Sequence, residues 1–568
     1  MNKLLFIITF LSISLFSMSQ NSKKIDDWEY NQTKVMDTNF ISTTMIKSSP
    51  VTMAIPAPMI QKSLGFSVGG AKDANNFYDN LKNGYLPKIN SITYEGVYHD
   101  HYFKMPQQKC RDLFCPNYET AVRKNLFTEK KEYFLSVGLD SNLDITSFKR
   151  KKLNLVVVLD ISGSMSSPFN RYYYDGKKNE EDSKTSKMKI ANRSIVAMID
   201  HLKPQDSFGV VLFDNNSYLA KPLRKVALTD MKAIKKHILE LKPRGGTNWS
   251  SGYKRGLSLF KDIEKNSQVE NRIIFITDAM PNSGELRKDR LFGMIKDASK
   301  RGIYTTVIGV GVDFNTNLVE YITKTKGANY LSIHSSKEFK KRVDNEFDYL
   351  VTPLVFDLKL ELISDDFEIK KVYGSATNQN NNKTLLSINT LFPSATNDKG
   401  TKGGVVLASL KKIGTHNSLK LKVSYHDRDN NYHDSVKKVT FKDGYYYDGS
   451  GIQKAIILTD YVNVIKNFLV DSRKSCNDEV TFASFDTIRQ KCLLPPPYPK
   501  NSTWERRSCK LEVSKGYKKL FSIFLREFQK QKYLLRDESL KKEEDALKLL
   551  LKSSQTQNNK KDDWNFIR

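Results

Sequence analysis

The spacing of apolar and polar residues changes several times along the chain, and each change predicts a different architecture. From residue 151 to residue 349, short apolar runs alternate with segments of helical period. The run at 153–159 is apolar at nearly every position, which is typical of a strand buried on both faces of a parallel sheet. This alternation predicts an α/β domain with a doubly wound, mainly parallel sheet and helices on both faces.

The same periodicity predicts individual elements of this α/β domain. Apolar residues recur at helical spacing at Met188, Ile195, Met198 and Leu202, which predicts one buried helix face. Strands are predicted at 153–159, 207–213, 272–277, 304–310 and 328–332. Helices are predicted at 188–202, 229–241, 250–263, 286–300 and 317–323.

The segments on either side of the α/β domain have short strand patterns. Residues 350–445 alternate apolar and polar positions between Asn, Asp and Gly turns, which predicts a β-sandwich. Residues 66–150 form an N-terminal β-rich flanking region with strand-like stretches at 91–103 and 131–139 and a helix near 74–83. We expect both flanks to build one sandwich into which the α/β domain is inserted; a separate sandwich at 350–445 is the alternative.

The C-terminal part returns to helical spacing over residues 446–552, and residues 553–568 are predicted to be a disordered tail. This region has an apolar stripe beside charged positions, and an apolar stripe of this kind is the ordinary pattern of a docked helix. We therefore expect it to pack on the sandwich or on the helical segment at 451–472. A basic amphipathic helix on an anionic membrane is the alternative. The stripe consists of Leu520, Phe521, Phe524, Leu525, Phe528, Leu534 and Leu535.

The N-terminus predicts export from the cytosol. Residues 1–19 combine a lysine, a short apolar run and small residues, the pattern of a secretory signal peptide, and 20–65 have the composition of an irregular linker. An uncleaved membrane anchor is the alternative, but the apolar run is short for a span, and no other transmembrane segment is expected. Outside the cytosol, Cys110 can pair with Cys115, and two of Cys476, Cys492 and Cys509 can pair.

The formal net charge is +28, from 91 Lys and Arg against 63 Asp and Glu. The lysines are spread over the chain, so this charge favours acidic partners such as an anionic glycan or another polyanion, without predicting specific nucleic-acid recognition. Ordinary solvation of the surface by lysine is the alternative explanation. No Ser/His/Asp, metalloprotease or dinucleotide-binding arrangement occurs in the sequence, so we do not expect an enzyme.

Oxygen-bearing side chains follow three of the predicted strand-to-helix junctions. Asp160, Ser162 and Ser164 come directly after the first buried strand, Thr247 follows two glycines before a helix, and Asp278 ends a later strand. Carboxylate and hydroxyl oxygens suit Mg²⁺, and open α/β sheets bind ligands beyond the carboxyl ends of their strands. Each residue alone could cap a helix or end a strand. Together they predict a metal site.

This five-residue pattern resembles the metal-ion-dependent adhesion site (MIDAS) of von Willebrand factor type A domains, over residues 150–345. The resemblance implies that the two serines and Thr247 contact Mg²⁺ or Mn²⁺ directly or through water, while the two aspartates act through water. It also implies that a Glu or Asp of a protein partner completes the coordination. The wider architecture resembles secreted bacterial and protist type A proteins and the type A region of inter-alpha-trypsin inhibitor heavy chains. The Asp-Pro-His cleavage motif of those heavy chains is absent from this sequence.

These observations predict a secreted or cell-surface protein that uses a divalent cation for adhesion or protein binding. A tyrosine-rich loop between Ser166 and Lys187 starts beside the serines, and tyrosines are favoured at binding hot spots. We therefore expect Tyr172, Tyr173 and Tyr174 to contact the partner, together with Asn248 beside Thr247. A polar insertion with no binding role is the alternative for the tyrosine-rich loop. The alternative function is a structural or matrix protein that binds anionic polymers through its basic surface and uses the metal only for stability.

Overall fold

The structure is a computed structural model of the 568-residue chain. It describes residues 24–31, 64–68, 75–106, 113–143, 148–168, 185–263, 268–278, 291–310, 325–333, 346–374, 386–475 and 509–555. The predicted signal peptide, most of the predicted linker, the helix predicted at 317–323 and the end of the tail lie outside these residues.

Strands and helices are numbered in chain order. The strands are β1 (Leu64–Val68), β2 (Tyr102–Phe103), β3 (Phe114–Lys124), β4 (Lys131–Ser141), β5 (Lys152–Asp160), β6 (Ser207–Phe213), β7 (Ser217–Lys225), β8 (Val269–Thr277), β9 (Ile303–Val310), β10 (Asn329–Ile333), β11 (Val355–Ile363), β12 (Phe367–Tyr373), β13 (Leu386–Asn397), β14 (Gly400–Lys402), β15 (Val405–Lys412), β16 (Ser418–Asp427), β17 (Tyr432–Thr440), β18 (Tyr446–Tyr447), β19 (Glu512–Val513) and β20 (Ser554–Gln555). The helices are α1 (Asn75–Lys82), α2 (Tyr94–His99), α3 (Lys187–Ile199), α4 (Met231–Glu240), α5 (Trp249–Ser258), α6 (Leu291–Lys300), α7 (Phe347–Val351), α8 (Ser450–Ser475), α9 (Lys515–Leu535) and α10 (Lys541–Lys552).

The central part of the chain is the predicted α/β domain. Its six-stranded sheet has the order β10-β9-β8-β5-β6-β7, and all neighbours are parallel except β6 and β7. In β5, Val157 and Leu159 pack with α3 and α4, whereas Val156 and Val158 pack with α5 and α6. Successive side chains of a strand point to opposite faces, so helices on both faces explain the unbroken apolar run. The predicted doubly wound fold is confirmed.

Strand β7 was not predicted. It carries Pro222 directly after Lys221 and ends in Arg224 and Lys225, so the sequence has neither an apolar run nor a strict alternation there. The strand forms because the chain turns back after β6 and adds an antiparallel edge to the sheet. Proline is tolerated in such an edge strand because its missing N–H removes no bond between central strands.

Strands from both flanks pair in one twelve-stranded sheet. Its main order is β12-β15-β4-β1-β13-β11-β16-β17, so β1 and β4 lie between strands that follow the α/β domain in the sequence. Phe367, the first residue of β12, stacks on Phe441, which follows β17, with 4.9 Å between ring centroids, so the two ends of this strand order lie in contact. The expected insertion of the α/β domain between strands of both flanks is therefore found, but these strands pair in one continuous sheet instead of the two sheets of a sandwich.

One flanking element was predicted wrongly. The stretch at 91–103 forms helix α2 and only the two-residue strand β2. Thr93 caps this helix by accepting a hydrogen bond from the Gly96 N–H, and the Tyr98 hydroxyl lies 2.6 Å from Thr459 Oγ1 on α8. Packing against α8 therefore decides the conformation of a segment whose aromatic and β-branched residues locally favour a strand.

The C-terminal helices pack on the large sheet and on one another. Leu520, Phe521, Phe524 and Phe528 of α9 are buried in a cluster with α8, while Leu534 at the end of the stripe is exposed. Among the helices that the structure describes, none combines the length and the apolar character needed to cross a membrane. Cys509 is disulfide-bonded. Cys110, which was predicted to pair with Cys115, lies outside the described residues, so that pair stays a prediction.

Part of the predicted linker is ordered as an N-terminal strap, residues 24–31, which lies on the α/β domain. Ile25 bridges to Thr229, and the Glu29 N–H donates to the Ala220 carbonyl at 2.7 Å. Trp28 stacks on His237 of α4. The expectation of an irregular linker is wrong for these residues because the strap supplies side chains that cover edge strand β7.

The strap also pairs a buried lysine. Lys221 of β7 is fully buried, and its Nζ lies 3.2 Å from Asp27 Oδ2 and 2.8 Å from the Phe208 carbonyl oxygen. Burial lowers the pKa of Lys221, and Asp27 opposes that change. We expect Asp27→Ala to lower the free energy of unfolding by about 2–3 kcal/mol, because a buried ammonium loses its counter-charge.

Urea unfolding followed by tryptophan fluorescence measures this loss. In the Lys221→Met background the same Asp27→Ala change should cost clearly less, since no buried charge remains to be compensated. Equal losses in both backgrounds would contradict the role assigned to this ion pair.

Candidate metal site

The site begins where β5 ends. Asp160 is the last residue of this strand and is fully buried. Its two carboxylate oxygens accept hydrogen bonds from the Ser162 N–H at 2.8 Å and from the Thr277 hydroxyl at 2.6 Å. Because Thr277 ends the neighbouring strand β8, these bonds fix the carboxylate between two parallel strands at the carboxyl edge of the sheet.

The two serines and Asp278 continue from this carboxylate. Ser162 Oγ lies 2.9 Å from Ser164 Oγ, and the Ser164 hydroxyl donates to Asp278 Oδ1 at 2.7 Å. Burial and the nearby charge of Asp278 raise the pKa of Asp160 to about 7, although its hydrogen bonds to Thr277 and Ser162 oppose the rise. Because the two carboxylates are close together and shielded from solvent, their negative charges repel, and a positive charge beside them would stabilise both.

The loop that carries Thr247 lies beside the loop that carries Ser162 and Ser164, which we call the serine loop (residues 161–167). The Gly163 N–H donates to the Gly245 carbonyl at 2.9 Å, and the Arg244 N–H donates to the Ile161 carbonyl. Gly245 has a φ of +66°, and a Cβ there would meet Asp214 at 3.2 Å. Glycine permits this close contact. Thr247 itself is exposed, so the structure places its loop at the site and leaves its hydroxyl accessible to solvent.

Of the four residues predicted to contact the partner, the structure describes only Asn248. The Asn248 side chain accepts a hydrogen bond from the Ser251 N–H at 3.1 Å and so caps α5, while it remains exposed. Tyr172, Tyr173 and Tyr174 lie outside the described residues. A partner contact therefore stays a prediction for all four residues.

Two further residues at this edge were missed by the sequence reasoning. Asp214 follows β6 as Asp278 follows β8, and it accepts a hydrogen bond from Arg244 Nε at 2.9 Å. A carboxylate at the end of a third buried strand was a usable signal. Lys187, the first residue of α3, places its Nζ 3.0 Å from Asp278 Oδ2. No local pattern in the sequence links this lysine to a residue so far along the chain.

The donor set fits a small, hard cation. Asp160 and Asp278 supply carboxylates, Ser162 and Ser164 supply hydroxyls, and all four lie in one hydrogen-bonded group. This set has only two carboxylates, and within the described residues no three or more His, Cys, Asp and Glu side chains are grouped so that they could hold a metal. The hydroxyls are therefore part of the donor set. An oxygen set of two carboxylates and hydroxyls favours Mg²⁺ or Mn²⁺ over metals that prefer imidazole or thiolate ligands.

Comparison with known protein families gives a match over the residues that form this site. Residues 155–281, from β5 to just beyond Asp278, match the family model of the von Willebrand factor type A domain. The chain contains a von Willebrand factor type A domain. The matched residues include every candidate metal ligand from Asp160 to Asp278.

The relatives of this type A domain include inter-alpha-trypsin inhibitor heavy chains. The chain is 22% identical to heavy chain H1 of Mesocricetus auratus over 37% of its length, and 23% identical to heavy chain H2 of Mus musculus over 42%. These alignments span 22% and 25% of the respective relatives, so the similarity covers about a quarter of each heavy chain.

Comparison with solved structures also gives matches. A von Willebrand factor type A protein from Catenulispora acidiphila is 12% identical, with a TM-score of 0.40, over 65% of this chain and 84% of that one. Proximal thread matrix protein 1 from the mussel byssus, described with a zinc-occupied MIDAS motif, is 16% identical with a TM-score of 0.26. That match covers 35% of this chain and 46% of the mussel protein.

Proposed function

We propose that the protein is a secreted, non-enzymatic binding protein whose type A domain holds Mg²⁺ or Mn²⁺ and captures a carboxylate of a protein partner. The observation that carries the proposal is the group formed by Asp160, Ser162, Ser164 and Asp278 at the carboxyl edge of the sheet. This position is the one at which open α/β sheets bind ligands.

The chemistry of the site supports a role in adhesion. With two carboxylates and several neutral hydroxyls around it, a divalent cation stays electrophilic enough to bind an oxygen of an acidic ligand. Mg²⁺ also retains water ligands, and one of them can exchange for a Glu or Asp oxygen of the partner. The two serines would hold the ion, the exposed Thr247 would join them, and the two aspartates would act through water.

Two observations support a location outside the cytosol. Residues 1–19 have the pattern of a signal peptide. Cys509 is disulfide-bonded, and disulfides persist mainly in oxidising compartments. We therefore propose secretion or attachment to the cell surface.

The alternative function also has an observation in its favour. Helix α9 presents Lys515, Lys519, Arg526 and Lys530 as an exposed basic stripe on the face opposite its buried phenylalanines. Such a stripe suits an anionic polymer. In this alternative the protein is a matrix component, and the type A domain needs its cation only for stability.

Calorimetric titration of the purified full chain with Mg²⁺ is the first experiment. Saturable binding that EDTA reverses, together with an increase in melting temperature, is the expected result, because a ligand that binds only the native state stabilises it. Absence of both effects with Mg²⁺ and with Mn²⁺ would contradict the proposed site.

Heparin binding then separates the two functions. Binding driven by basic surfaces falls steeply as salt rises and is insensitive to EDTA, whereas carboxylate capture by a cation is lost on chelation. Strong, EDTA-insensitive heparin binding without any Mg²⁺ effect would favour the matrix role.

A further inference from the structure

A buried lysine lies against the candidate metal ligands. Lys187 is 2% exposed, and its Nζ lies 3.0 Å from Asp278 Oδ2 while Ser164 donates to the other oxygen of that carboxylate. Lysine is rarely buried to this extent unless it is paired. The Asp278 carboxylate is therefore held from one side by a hydroxyl and from the other by a fixed positive charge.

The position of this lysine is determined by its backbone. Ser186 caps α3 by accepting a hydrogen bond from the Lys189 N–H, and the Lys187 N–H donates to the Ser167 carbonyl at 3.0 Å. The first bond fixes the start of α3, and the second joins it to the end of the serine loop.

The charges of the site explain what the lysine can do. Asp160 and Asp278 provide two negative charges, and the ammonium of Lys187 cancels one of them. Compared with the same site without Lys187, the site is less negative and attracts a divalent cation less strongly. Once the cation is bound, the site is more positive and attracts an incoming acidic group more strongly. The lysine thus opposes the cation and favours the partner's carboxylate.

We propose that Lys187 sets the cation affinity of the site, keeping the resident cation weakly held until a partner's carboxylate joins its coordination. This proposal rests on the proposed metal-dependent function. Lys187 acts through Asp278 and through its charge, so it is a positioning residue and not a ligand.

The test compares Lys187→Met with wild type in the full chain. Calorimetric titration with Mg²⁺ alone should show binding about tenfold tighter or more in the variant, because one repelling charge is gone. In EDTA the variant should melt at a lower temperature than wild type, since Asp278 loses its counter-charge. Adding Mg²⁺ should then raise the melting temperature of the variant by more than it raises that of wild type. The matched control is Lys189→Met, which removes an equal but exposed charge two residues away and should change neither measurement.

The outcomes separate this proposal from the proposed function. If wild type binds Mg²⁺ and Lys187→Met binds it equally or more weakly, the affinity-setting role is overturned while the metal site stands. If neither protein binds Mg²⁺ or Mn²⁺, the metal site fails and this role fails with it. Should Lys187→Met not fold, Lys187→Gln keeps a hydrogen-bond donor toward Asp278 while removing the charge, and it is judged by the same comparison.

Discussion

Replacing Asp160 with asparagine is expected to lower Mg²⁺ affinity by about a hundredfold or more while the type A domain remains folded. The variant loses one of the two carboxylates of the site, and electrostatic attraction is the main source of affinity for a small divalent ion. Its amide oxygen can still accept one of the two hydrogen bonds that come from Ser162 and Thr277. Alanine, which keeps neither acceptor, should abolish metal-dependent binding altogether.

Thermal unfolding adds a second readout for Asp160. Because burial and Asp278 disfavour the charged carboxylate, Asp160→Asn should melt at the same or a higher temperature than wild type in EDTA, and Mg²⁺ should no longer stabilise it. Calorimetry and circular dichroism measure the two effects. The control is Asp200→Asn, an exposed carboxylate at the end of α3 that should behave as wild type. Normal, EDTA-sensitive Mg²⁺ binding by Asp160→Asn would remove Asp160 from the site.

A large loss of stability is expected from Arg272→Met. Arg272 of β8 is fully buried, and its guanidinium donates to Glu270 Oε1 at 2.9 Å, to Thr306 Oγ1 at 3.0 Å and to backbone carbonyls of residues 327 and 351. It also lies between the rings of Tyr304 and Phe392, and Phe392 belongs to β13 of the large sheet. This one side chain therefore joins the type A domain to the sheet that carries it.

Removing the guanidinium should cost about 3–5 kcal/mol, because the largely buried Glu270 loses its hydrogen-bonded counter-charge and Thr306 and two backbone carbonyls lose a donor. Urea unfolding is the measurement, and Lys300→Met is the control, since its ion pair with Asp297 is exposed and contributes little. Adding Glu270→Gln to Arg272→Met should recover part of the loss. If Arg272→Met were no more destabilising than the control, the junction would not depend on this ion pair.

Much of the site was predictable because parallel strands place their carboxyl ends at one edge. Asp160 and Asp278 follow strands that turn out to be neighbours, so a pattern read from the sequence brings them together correctly. The position of the Thr247 loop depends on the left-handed turn at Gly245, for which the paired glycines were a hint. Lys187 could not be predicted, since its contact with Asp278 depends on how α3 packs against the end of β8.

The fold shows the same division between local pattern and tertiary contact. The buried strands of the type A domain were predicted within a few residues, because a strand covered on both faces must be apolar throughout. Strand β7 and helix α2 were not predicted, since an edge hairpin and packing on α8 decide them. The ordered strap was not predicted for a similar reason, because its few apolar residues are buried only by contact with the edge of the type A sheet.

The insertion of the type A domain between β4 and β11 also determines the order in which the chain can fold. Val137 of β4 pairs with Val406 of β15, so the large sheet closes only when segments separated by more than the whole inserted domain meet. Closing so long an unfolded loop is slow, whereas a domain that has already folded brings its two ends together and shortens the effective loop. During synthesis, β3 and β4 can pair as soon as they emerge, whereas β1 still lacks β13 and β4 still lacks β15, which follow the type A domain in the sequence. We therefore expect a variant that slows the folding of the type A domain to prolong the time during which these early strands remain open to aggregation.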